Sequence, residues 1–175
     1  MSRYIFLHSV LSNGDCVLKT KSFDNVKDQV GFCGIWCGSC VVGNGVLKEL
    51  TKEYERIVEK YGLEDWASEG FDFNEFKKGL ASIRDVETCP GCLKGGGRDN
   101  CEIKDCATSR KLKDCSACED FTVCKNSEIL KKMREGARDA GLFVKDKDVD
   151  QKHFMKNAMS ELEKKSPHCI LFCKT

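Results

Sequence analysis

The sequence predicts a small α-rich α+β domain: a helical body with an irregular cysteine-rich metal-binding centre and an N-terminal β-hairpin. Three observations lead there. Apolar residues recur at helical spacing in four stretches after position 45, an Asn-Gly turn separates two apolar runs near the start, and residues 89–124 carry seven of the thirteen cysteines. The boundaries follow as a hairpin extension over 1–31, a cysteine-rich domain over 32–125, and a helical extension over 126–175 packed on the same domain.

Residues 3–21 read as the hairpin, since Tyr4-Ile5-Phe6-Leu7 and Cys16-Val17-Leu18 flank Ser12-Asn13-Gly14-Asp15. Val46, Leu47, Leu50, Tyr54, Ile57, Val58 and Tyr61 then define an amphipathic helix stopped by Gly62. A second helix carries Phe73, Phe76, Leu80 and Ile83 behind an Asp72 cap. Trp66, Phe71, Phe73 and Phe76 are read as core, because no Lys or Arg interleaves them as a base-stacking platform would require. A third helix starts at Asn126 or Ser127, stops at Gly141, and turns Lys131, Lys132, Arg134 and Arg138 to solvent. Residues 145–148 read as a polar linker before a last helix over 150–165 that ends at Pro167. In the tail, Cys169 and Cys173 are read as inward-facing thiols of a buried apolar terminus, and Cys16 as a small hydrophobe in its strand.

The cysteines carry the chemistry. Cys89/Cys92 and Cys115/Cys118 have the C-x2-C spacing, which lets one tight turn aim two sulfurs at a single ion while backbone N–H groups bond the thiolates. Pro90 and Gly91 suit such a turn. Cys101, Cys106 and Cys124 add single ligands, and Cys33, Cys37 and Cys40 form an upstream C-x3-C-x2-C group that needs a later cysteine to complete its coordination. The run Lys94-Gly95-Gly96-Gly97-Arg98 lacks the Lys-Ser/Thr pair and preceding strand of a phosphate loop, so it reads as a flexible connector.

The totals narrow the function classes. With 29 Lys+Arg against 28 Asp+Glu the net charge is +1, so no global field draws nucleic acid and none is expected as a partner; a protein partner is left open. No apolar run approaches the roughly 20 residues that cross a bilayer, and the opening MSRYIFLHSV lacks a signal-peptide pattern, so no membrane association and a cytoplasmic location are expected. In a reducing compartment, dense C-x2-C pairs mean metal binding before disulfides. His8, His153 and His168 fall in no nucleophile or metalloprotease motif, so no catalytic constellation emerges and enzymatic activity is left open. The bare spacing at Cys33/Cys37/Cys40 also matches radical S-adenosylmethionine enzymes, but Ser39 stands where an aromatic is usual and the strand–helix repeats of a barrel are missing.

CGIWCGSC, CPGC, DNCEIKDCA and CSACEDFTVC, in that order over residues 32–125, together resemble the domain-of-unknown-function family 3795 of small cysteine-rich prokaryotic proteins. The matching positions include Cys33, Cys37, Cys40, Cys89, Cys92, Cys101, Cys106, Cys115, Cys118 and Cys124. The sequence departs at Thr122-Val123, where the family pattern has a single proline. The resemblance implies a metal-binding domain. All ten ligands being sulfurs, zinc is the expected metal on the strength of the Gly- and Pro-containing C-x2-C turns, and an iron–sulfur cluster is the alternative. The reading is a zinc-binding structural or interaction module, or else a cluster protein with a redox or metal-handling role.

Overall fold

The computed structural model describes residues 20–165 and 167–172. Helix α1 (Lys21–Val26) begins where Thr20 Oγ1 accepts a hydrogen bond from the Phe23 N–H at 3.0 Å, and it buries Phe23 and Val26 one turn apart. Helix α2 (Val46–Lys60) is started by Asn44, whose Oδ1 accepts from the Val46 N–H at 3.0 Å, and Gly62 ends it at φ 58°. Helix α3 (Phe73–Arg84) is capped by Asp72, as its spacing predicts, and lies along α2 with Arg84 paired to Glu55. The short α4 (Glu102–Ser109) follows, then α5 (Ser127–Asp139) and α6 (Gln151–Glu163), the last capped by Asp150. Three 3-10 turns, Cys37–Ser39, Cys92–Lys94 and Cys115–Ala117, sit within the cysteine groups.

The core lies to one side of the cysteines. Trp36, fully buried, packs with Phe23, Val30 and Val46 against Ala158 and Leu162 of α6 and Ile170 and Leu171 of the terminal turn His168–Phe172. The indole N–H donates to the Lys27 carbonyl at 2.6 Å, so the ring is fixed as well as buried. Elements from both ends of the described chain thus close on the Trp36 ring, immediately before Cys37.

Two expectations are corrected. The α+β class fails: among the described residues the only β pairing is two isolated bridges, Val30 with Trp36 and Ile35 with Val144, and the domain is helical. The expected hairpin over 3–21 lies outside the described residues except for its last two positions, where Thr20 caps and Lys21 opens a helix. Thr20 three residues ahead of Phe23, with Val26 a turn later, carries that helix signal in the sequence. The aromatic residues between α2 and α3 are also not core. Trp66 is 83% exposed and Phe71 48%, while Phe73 meets Phe71 edge-on, Phe76 lies tilted against Phe71, and Phe76 meets Tyr54 edge-on, forming a cluster on the surface of the α2–α3 pair. Helical spacing gave Phe73 and Phe76 a common face, but the helix packs chiefly on α2, which is too narrow to cover that face.

The terminal turn is held by His168. Asn44 Nδ2 meets its Nδ1 at 3.0 Å and also donates to the Gly38 carbonyl, so His168 must accept through Nδ1 and remain neutral. Burial, with Lys165 nearby, lowers its pKa below the ordinary 6.5. The unfolded chain therefore takes up this proton first, and the stabilisation is complete above pH 6.5 and is lost as pH falls through the folded pKa. The melting temperature of the wild type should drop further between about pH 7 and pH 5 than that of His168→Gln. Equal drops would remove His168 from this account.

Candidate metal centre

All ten described cysteine thiols are unpaired, with no disulfide among them. They fall into two groups. Cys33, Cys37, Cys40, Cys89, Cys92 and Cys101 line one cavity of about 240 Å³. Ile103, Met133 and Leu142 supply apolar wall, and Arg98 and Lys104 are the cationic lining residues. Cys124, Cys33, Cys106 and Cys118, in that order, are the cysteines whose charges act on the Cys115 thiol. Cys33 thus stands between the groups, and the upstream triplet joins the later cysteines. The Cβ position of Gly31 is 3.1 Å from Cys92 Sγ and 3.8 Å from Cys33 Sγ, so those sulfurs are no further apart than the two distances added.

Backbone and cations are aimed at the sulfurs. Phe32 N–H donates to Cys92 Sγ at 3.4 Å, Gly97 N–H to Cys89 Sγ at 3.3 Å and Asn126 N–H to Cys124 Sγ at 3.4 Å. Arg110 donates to Cys118 Sγ at 3.1 Å and is itself held by Asp120. The glycine run after Lys94 is therefore more than a connector. Its Gly97 amide serves a sulfur, and a Cβ at Gly96 would stand 3.0 Å from Cys89 Sγ. Gly91, at φ 85°, has no room for a side chain either, because Gln29 fills the space and hydrogen-bonds the Pro90 carbonyl at 2.9 Å.

Burial pushes the Cys37 thiol up to about 12, and the neighbouring Cys92, Cys33, Cys89 and Cys40 push the same way. Cys115 is pushed up to about 12 for the same reasons, with Cys124 its first neighbour. Burial raises Cys33 and Cys92 too, opposed at Cys92 by the Phe32 N–H and the Lys104 ammonium. Such thiols hold their protons at neutral pH and ionise only against a bound cation. The donor set is that of a soft metal, all sulfur. Among the described residues, however, no three His, Cys, Asp or Glu side chains are grouped so as to hold one ion as they stand. A tetrahedral zinc site brings its sulfurs to about 3.8 Å from one another, so side chains of either group must swing inward to close on a single ion.

Two buried cations, both unexpected from the sequence, fix the groups relative to each other. Arg134, expected at the surface, is 5% exposed and donates to the Cys33 carbonyl at 3.0 Å and the Lys145 carbonyl at 2.8 Å. Lys145, expected in a linker, is buried with its ammonium 3.6 Å from Asp114 and hydrogen-bonded to Ser116. Asp114 in turn caps the Cys115–Ala117 turn through the Ser116 N–H at 2.8 Å, and the Cys115 N–H reaches the Phe32 carbonyl at 2.8 Å. Asp114→Ala leaves Lys145 buried and unpaired, which should cost about 3–5 kcal/mol in urea unfolding, and adding Lys145→Met should recover most of it. A loss under about 1 kcal/mol would class the pair with surface ion pairs and detach it from the site.

No curated protein and no solved structure matches the chain. A family model does match, that of the family described as "Protein of unknown function (DUF3795)", over residues 29–129. That span begins at Gln29, the residue that braces the Pro90-Gly91 turn, and takes in all ten of the described free cysteines. It covers more than half of the sequence, and the chain therefore belongs to the DUF3795 family.

Proposed function

We propose that this protein is an all-thiolate metal-binding module in which bound metal holds the cysteine-rich segment in shape for contact with other molecules. The observation that carries the proposal is the convergence of ten unpaired thiols, several with backbone N–H groups already directed at the sulfur, in a part of the chain with almost no core of its own. Between residues 89 and 120 the large apolar side chain that is fully buried is Ile103, whereas Leu93 is 46% exposed. Ordering a residue costs about 1–2 kcal/mol, and a structural zinc contributes an apparent 10–16 kcal/mol or so, comparable to the whole stability of a typical domain.

The group around Cys115 is the zinc site of this proposal. To it we assign Cys106, Cys115, Cys118 and Cys124, whose side chains would swing inward to close on the ion; Cys115 and Cys118 arrive from one tight turn, and Arg110 offsets part of the negative charge. Four thiolates would leave no ligand position open for a substrate, which favours a structural over a catalytic ion.

Limited proteolysis of the reduced protein with and without a strong chelator tests the structural role. The stripped protein should be cut at least about tenfold faster between Lys94 and Lys113, with α2 and α6 protected longer. Cys118→Ser should reproduce the effect without chelator. Equal cutting rates would show that metal does not hold this segment.

A further inference from the structure

We infer that the six-cysteine cavity holds a polynuclear iron–sulfide cluster, and that the ten cysteines divide into this site and the separate single-ion site around Cys115. The inference rests on the proposed thiolate-metal reading and assigns the part of it that zinc does not fill.

Volume is the first argument. A water-sized sphere needs roughly 10–15 Å³ of such space, and the cavity among Cys33, Cys37, Cys40, Cys89, Cys92 and Cys101 has about 240 Å³. One ion drawing four sulfurs to about 2.3 Å would fill little of it, whereas a core of several iron and sulfide atoms would fill more. Zinc clusters without sulfide fill space by sharing thiolates between ions. Six thiolates can hold two zinc ions by sharing two of their number, but such a pair occupies less of the cavity than an iron–sulfide core, so inorganic sulfide is the filling that fits better.

The wall chemistry agrees. Ile103, Met133 and Leu142 keep it apolar, and the Phe32 and Gly97 amides already point at Cys92 and Cys89, the kind of N–H···S bond that tunes clusters. Four thiolates around a doubly positive core leave two negative charges, matched by Lys104 and Arg98. Each ligating thiol gives its proton to water as its sulfur binds iron. Cys37 has Cys92, Cys33, Cys89 and Cys40 as neighbours and so sits centrally among the candidate ligands.

The test is the full chain purified without oxygen, with iron, acid-labile sulfide and zinc measured per chain. The wild type should be brown, with iron and sulfide in near-equal amounts, about four of each, beside one zinc. Cys37→Ser with Cys92→Ser should lose iron and sulfide at least about tenfold and keep zinc, and Cys118→Ser should do the reverse. Zinc alone in the wild type, without sulfide, overturns the inference and leaves the zinc module standing. Iron and sulfide without zinc supports the cavity assignment and overturns the zinc site, and a metal-free protein overturns both. If the double variant does not fold, the wild-type sulfide content decides.

Discussion

Sulfur atoms turned away from water, with little else buried beside them, are the constraint on which this structure depends. A buried thiol gains as a small hydrophobe, but a buried thiolate loses its hydration and repels its neighbours, which is why Cys37 and Cys115 are held protonated far above neutrality. The chain meets this with local donors: three backbone N–H groups and one guanidinium are directed at particular sulfurs, and at Cys92 the Phe32 N–H and Lys104 favour the charged form. Such donors contribute little to a neutral thiol and much to a ligating thiolate. Their placement is what connects the packing of this region to metal chemistry.

The other half of the molecule solves a different problem. Around Trp36 the fold has a conventional apolar core, drawn from α1, the start of α2, α6 and the terminal turn, and it ends where Cys37 begins. Arg134 and the Lys145–Asp114 pair then carry that rigidity across to Cys33 and Cys115 through hydrogen bonds to backbone. Arg134 and Lys145, after the last cysteine motif, therefore position Cys33 and, through Asp114, the turn that carries Cys115. The Trp36 indole, the Asn44 side chain and the Gln29 amide act in the same way at the Cys37–Ser39 and Pro90-Gly91 turns.

What was legible in the sequence was local. The spans of α2, α3, α5 and α6 follow from apolar spacing and from Asp72, Asp150 and Gly62, because caps and amphipathic stripes are written within a few residues of where they act. The pairs Cys37/Cys40, Cys89/Cys92 and Cys115/Cys118 were legible for the same reason, since C-x2-C spacing is a local geometric statement. The α+β class was not, since two short apolar runs around an Asn-Gly turn say nothing about whether a sheet exists to receive them. Arg134 and Lys145 looked like solvent-facing charge because their partners, Cys33 O and Asp114, lie 101 and 31 positions away along the chain. Nor could spacing reveal that Cys101 lines the cavity while Cys106, five positions later on α4, acts on Cys115.

The central claim is that these sulfurs are metal ligands and that nothing but sulfur from the chain completes the coordination. X-ray absorption at the metal edges of the intact protein, isolated without oxygen, tests it most directly. The account predicts an all-sulfur first shell, at about 2.3 Å for zinc. Nitrogen or oxygen neighbours in that shell, or a fully folded protein that carries no metal, would contradict it.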